Sequence, residues 1–171
     1  MNKVTLAVFS IALASLVGGC APITFWTSPR ILVPEERQAQ AKEAGIPFVF
    51  ADTLTGTPNS VGGVSFQFFG INTGSKTMKY MTLTVVPYNR VSDQARSSIG
   101  GVSEVRVRYT GPLEPGESVD GPVWRNLWYN PTIVCAEITR AEITFMDDDV
   151  LVFAGGQIAG LMKTPEMNRC R

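Results

Sequence analysis

Apolar and polar side chains alternate most clearly between Gly62 and Asn89, in the stretch GGVSFQFFGINTGSKTMKYMTLTVVPYN. Val64, Phe66 and Phe68 share one phase and Ser65 and Gln67 the other, the period of two that a half-buried strand requires. A second run follows, with Met81, Leu83 and Val85 on one face and Tyr80, Thr82, Thr84 and Val86 on the other. Asn72-Thr73-Gly74-Ser75 between the runs carries turn chemistry, so the pattern predicts a hairpin of two long strands. Met78 falls out of phase with Met81, which predicts a bulge near Lys79.

The same reading extends along the chain. Pro34, Glu35 and Glu36 open a helix that Gly45 stops, and its lack of apolar residues beyond alanine predicts a surface element or spacer. Ile46 to Ala51 reads as a short first strand, at a sheet edge because Pro47 lacks a donor, and Asp52 to Gly63 as a loop. Beyond the hairpin, Arg90 to Gly101 is a polar, flexible connection. Ser103 to Thr110 sets Val105, Val107 and Tyr109 against Glu104, Arg106 and Arg108, a strand with one wet face, and residues 111–117 are turn material. Val123 to Asn130 leads into an alternating run from Thr132 to Met146 with a break near Thr139-Arg140. Asp147-Asp148-Asp149 then turns the chain back into Val150 to Phe153. The glycine-rich end beyond Gly155 is either a bent edge strand or an unstructured tail. About seven strands at these spacings predict an all-β fold, an antiparallel immunoglobulin-like β-sandwich over residues 46–171.

The N-terminus has the build of a signal peptide: Asn2-Lys3, then an apolar run from Val4 to Leu16 too short to span a bilayer. Val17-Gly18-Gly19-Cys20 resembles the lipobox of bacterial lipoproteins, in which small residues precede an invariant cysteine. The resemblance implies removal of residues 1–19 and a diacylglycerol thioether on Cys20; with Pro22, Pro29 and the helix that follows, residues 20–45 read as a tether and short helix. Ala21 after the cysteine, where an aspartate would favour retention, implies the outer membrane of an enteric-type cell, facing the periplasm. About 150 residues would remain, enough for one domain with its own core.

Charge adds little. Lys and Arg number 15 against 15 Asp and Glu. A balance near zero provides no electrostatic footprint for nucleic acid, so membrane contact would come through the acyl chains on Cys20. Cys135 and Cys170 remain. In an oxidising compartment they either form a disulfide tying the tail to a strand, or stand as a small buried residue and a free tail thiol.

Three motifs in order, NTGSKTMKYMTLTVVPYN at 72–89, TGPLEP at 110–115 and WRNLWYNPTIVCAEITRAEITFMDD at 124–148, resemble small bacterial β-sandwich modules of FxLYD and immunoglobulin-like type. Such modules occur on secreted and cell-surface proteins. Asp148 stands where that pattern expects glycine in the last turn. The resemblance implies a fold and carries no activity.

Candidate chemistry is sparse. Histidine is absent, which removes Ser-His-Asp and Cys-His catalysis and most zinc sites. Neither a Ser-x-x-Lys nucleophile motif nor a phosphate-binding loop occurs. Asp147-Asp148-Asp149 offers oxygen ligands but lacks the spaced pattern of a calcium loop, so a turn is expected there and no metal or cofactor. Glu104, Glu114, Glu117, Glu137 and Glu142 fall on wet faces or in turns, not as a paired glycosidase site. Trp124, Trp128, Tyr129 and Asn130 form either a binding surface for sugar or protein, or a buried corner sealing one end of the sandwich. The expectation is a lipid-anchored envelope protein without enzymatic activity, acting as a structural or interaction module with envelope-protein partners. The alternative is an envelope-glycan or small-ligand binding module using the aromatic cluster.

Overall fold

The computed structural model describes residues 32–170. The expected signal peptide, Cys20 and most of the tether lie outside the described residues. Helix α1 (Glu35–Glu43) precedes seven strands: β1 (Phe48–Thr55), β2 (Gly63–Asn72), β3 (Met78–Asn89), β4 (Val105–Leu113), β5 (Ser118–Tyr129), β6 (Ile133–Phe145) and β7 (Val150–Ala154). All neighbouring strands pair antiparallel, in a three-stranded sheet of order β1-β2-β5 and a four-stranded sheet of order β4-β3-β6-β7. The fold is the all-β sandwich that the alternation predicts.

The expected hairpin is not one. β2 and β3 occupy the predicted residues, but β2 pairs with β1 and β5 while β3 pairs with β4 and β6. The link between them crosses from sheet to sheet. Phe66 and Phe68 on β2 and Met81, Leu83 and Val85 on β3 are all buried in one core. Two long apolar faces lose more water against each other, on opposed sheets, than side by side on one. Asn72 secures the crossing. Its Nδ2 donates to the carbonyls of Lys76 (3.0 Å) and Leu113 (2.9 Å), and its Oδ1 accepts from Gly74 N–H (3.0 Å). The backbone N–H groups of Thr73 and Gly74 both donate to Pro47 O, so the turn is tied to the start of β1.

Both expected irregularities are present. The β3 register shifts between Met78 and Tyr80 against both neighbours, leaving Met78 and Met81 buried on either side of it. On β6, Thr84 faces Arg140 and Val85 faces Ile138, so Thr139 is the extra residue.

Three other elements differ from expectation. β1 continues to Thr55, through the start of the 52–63 stretch read as a loop; pairing with β2 outweighs local preference. β4 likewise continues through Gly111-Pro112 to Leu113, confining the turn to the following residues. Helix α1 does more than space the chain. Its buried Ala41 meets Val33, Val49 and Ala51, so β1 is covered on both faces: Phe48 and Phe50 face the sandwich core and Val49 and Ala51 face the helix. A two-sided burial of this kind explains the continuous apolar run PFVFA. Opposite Phe50 only glycine fits, because a Cβ on Gly70 would lie 2.3 Å from the ring of Phe48.

The C-terminus is neither edge strand nor free tail. A 3-10 turn (Gly155–Gln157), helix α2 (Ile158–Leu161) and a second 3-10 turn (Pro165–Asn168) fold back over the open side between β1 and β6. Ile158, Leu161 and Met162 enter the core. Met162 bridges Phe50, Lys163 N–H donates to Phe50 O at 2.8 Å, and Arg37 of α1 donates to the carbonyls of Gly160 and Met162. Asn168 imitates a strand neighbour, accepting from Ile138 N–H and donating to Ile138 O, each at 2.8 Å.

Candidate functional site

The aromatic group is drawn inward by the strand that carries it. Phe66 faces Trp124 and Val64 faces Trp128 across the β2–β5 pair. Trp128 is fully buried, and its Nε1–H donates to Ser103 O at 3.0 Å. Trp128 therefore presents nothing to solvent. Trp124 is half-buried with its ring nearly parallel to that of Phe68, centroids 5.7 Å apart, and stacked on Phe66 at 6.4 Å. One indole face is thereby occupied by the protein itself. Tyr129 is also half-buried, and its backbone is used on both sides: N–H donates to Ser97 Oγ and the carbonyl accepts from Ser98 N–H.

Asn130 works as a turn clamp. Its Oδ1 accepts from the backbone N–H and the hydroxyl of Thr132, and its Nδ2 donates to Arg96 O at 2.8 Å. These bonds reach the 90–104 connection, where Ala95 and Ser97 are buried. The segment expected to be flexible is packed over the end of the sandwich. The four residues thus compose a corner that closes one end, with Trp124 and Tyr129 its only partly accessible aromatic members.

At the opposite end, the acidic turn after β6 meets Lys76 of the β2–β3 crossing and Lys79 at the start of β3. Lys76 Nζ pairs with Asp147 at 2.6 Å and with Asp149, and Lys79 Nζ pairs with Asp148 at 2.7 Å. The carboxylates hydrogen-bonded to Lys76 hold its ammonium above the usual lysine range, and Asp148 does the same for Lys79. The Lys76 hydrogen bond holds Asp147 below the usual carboxylate range. The cations here are the protein's own side chains, two ammonium groups against three carboxylates, so the turn is largely but not fully neutralised. Among the described residues no cluster of acidic, cysteine or histidine side chains has the arrangement of a metal site. Lys76 and Lys79 were not singled out from the sequence, because what pairs them with a turn some 70 positions away is strand order.

Beside this turn lies a cleft of about 600 Å³ lined by Ile46, Pro47, Phe145, Val150, Leu151 and Lys76 among others. It marks the part of the open side that the C-terminal plug leaves uncovered. Strand β7, which forms its outer lip, is apolar yet exposed: Val150 is 50%, Leu151 42% and Val152 41% accessible. The sequence indicated a return strand there but not an accessible edge.

Cys135 and Cys170 are joined in a disulfide with Cα atoms 5.6 Å apart, fastening the chain end to β6. Around it, Cys170 N–H donates to Glu137 Oε1 at 2.7 Å and Ser92 Oγ donates to Cys170 O at 2.8 Å. Glu137 is thereby a tail anchor. Glu142 pairs with Arg140 at 3.4 Å and Arg106 at 3.7 Å on the outer face, while Glu114 accepts from Thr77 and Glu117 from Glu114 N–H. The carboxylates are distributed over separate structural contacts. No protein-family model matches the chain, and comparison with curated proteins yields no match.

Proposed function

We propose that this chain is a bacterial envelope lipoprotein, held in a membrane by acyl chains on Cys20 and presenting its sandwich as a structural or protein-interaction module. The observation that carries the reading is Val17-Gly18-Gly19-Cys20 placed directly after the apolar Val4–Leu16 run. Each buried methylene of an acyl chain contributes about 0.8 kcal/mol, so two or three chains anchor a domain of this size without any cationic patch. Ala21 favours the outer membrane, with the domain facing the periplasm. A disulfide between Cys135 and Cys170 accords with an oxidising compartment. An all-β domain that exposes three consecutive apolar residues, Val150, Leu151 and Val152, on an edge strand suits recognition of other proteins.

The test is Cys20→Ser in the full chain. The wild-type protein is expected in the membrane fraction, with the mass of a diacylglyceryl group on its N-terminal peptide. The variant is expected to keep its signal peptide and lose that mass. An unmodified Cys20 in a mature, membrane-associated protein would overturn the assignment. The alternative, glycan binding through the aromatic corner, rests on Trp124 and Tyr129 alone once Trp128 is buried. It predicts quenching of tryptophan emission by muropeptides.

A further inference from the structure

The four outer strand edges of the two sheets are treated very differently. The free edge of β1 is covered by the bridge from Phe50 to Met162 and the Lys163–Phe50 hydrogen bond. On β5, Pro122 removes a donor, the register against β2 shifts twice, and Gly121 and Asn126 take left-handed conformations. β4 carries exposed Arg106 and Arg108 and has Gly111-Pro112 just before its last residue. Each of these devices discourages the addition of another strand. β7 lacks them up to Phe153; only at its last residue does a side chain intervene, where Gln157 Oε1 accepts from Ala154 N–H at 3.2 Å and would have to yield to a pairing strand. Its five residues, VLVFA, contain no charge, proline or glycine, and its register with β6 is unbroken.

We propose that β7 is a self-association edge, where two copies of this chain pair antiparallel about a two-fold axis at Val152 and join their four-stranded sheets into one. In that register Val152 faces its own copy, Leu151 faces Phe153 and Val150 faces Ala154, so β-branched, aliphatic and aromatic residues oppose one another throughout. The β6 pairing fixes the faces. Val150 and Val152 lie on the outer side, while Leu151 and Phe153 pair with the buried Ile143 and Ala141 on the core side. A Phe153 from the second copy then covers Leu151 at the lip of the cleft.

Charge selects the orientation. Asp147-Asp148-Asp149 stands immediately before β7. In the antiparallel register Asp149 comes opposite Gly155 of the second copy, six positions from the other Asp149. At about 3.4 Å per residue the two acidic turns are about 20 Å apart, beyond a Debye length of about 8 Å. Parallel alignment would set the two turns side by side, six carboxylates against four lysines, with the excess negative charge of each facing the other. The antiparallel register instead brings each acidic turn toward the second copy's Arg140, which pairs with Ala154 in its own sheet. The interface uses sandwich residues alone and does not depend on acylation of Cys20.

Val152→Cys in the full chain tests the register, because a residue on the two-fold axis meets itself within the Cα separation that a disulfide spans. Mild oxidation is expected to trap a homodimer at least five-fold more abundantly than in Val123→Cys, an equally exposed position on β5. Leu151→Lys added to Val152→Cys is expected to remove that excess while leaving the thermal transition of the monomer in place. Trapping no greater than in Val123→Cys, or a mixed disulfide with another protein in place of the homodimer, overturns the proposal. Repeating the experiment in the Cys20→Ser background separates it from the anchoring: the dimer should persist there.

Discussion

Removing the Cys135–Cys170 disulfide asks what holds the C-terminal plug on the sandwich. The bond joins residues 35 positions apart. Closing a loop of that length restricts the unfolded chain by about 3.8 kcal/mol at 25 °C on the chain-entropy account. The folded side has independent fastenings. Asn168 makes two 2.8 Å hydrogen bonds to Ile138, Glu137 accepts from Cys170 N–H, and Ile158, Leu161 and Met162 are buried in the core. The plug should therefore stay docked after Cys135→Ala with Cys170→Ser, and the loss should act through the unfolded ensemble. For a domain of this size each kcal/mol moves the melting temperature by about 2–4 °C, so a fall of about 8–15 °C is expected. Thermal unfolding followed by circular dichroism, with the wild type before and after reduction, measures it. The far-ultraviolet spectrum at 25 °C should be unchanged. An unmoved transition after reduction verified by thiol titration would refute the entropic reasoning. Loss of the native spectrum at 25 °C would refute the claim that the plug holds itself.

Trp128→Phe should cost about 1–3 kcal/mol, from the lost Ser103 hydrogen bond and the space left by the smaller ring, read as a lower denaturant midpoint. An unchanged midpoint would mean that the corner is not structural. The acidic turn predicts a pH dependence. Stability from the raised Lys76 and Lys79 is complete below the unfolded lysine value and fades as pH rises through the higher folded one. Stability from the lowered Asp147 is complete above the unfolded carboxylate value and fades as pH falls through the lower folded one. The turn should thus contribute fully between about pH 5 and 10, and weaken below about pH 4 and above about pH 10.5. Because these groups are exposed, the contribution should be small and salt-sensitive. Asp147→Asn should lower the melting temperature at pH 6, and the gap to the wild type should narrow as pH falls below the usual carboxylate range; a gap that does not narrow in acid would exclude the Lys76 pairing as its cause.

Much of the candidate site could not be read in advance. Trp128 and Tyr129 are drawn in the sequence as plainly as any strand residue, yet burial of an indole depends on what β2 and the 90–104 connection place over it. Arg37 has no motif, because its acceptors are carbonyls at the other end of the chain. The exposure of β7 follows from its position last in a sheet of order β4-β3-β6-β7, a property of no single segment.

Local pattern alone placed the cores of most strands, the phase that β2 and β3 turn toward the sandwich core, and the bulges of β3 and β6. These depend on the two-residue pleat and on side chains a few positions apart, and they survive whatever partners the strands find. Tertiary structure decided the partners. It sent β2 and β3 to different sheets, extended β1 and β4 through turn-forming residues, docked α1 by one alanine and folded the glycine-rich end into a plug. Each of those outcomes is set by the area of apolar surface removed from water when distant segments meet, a quantity that no window of neighbouring residues contains.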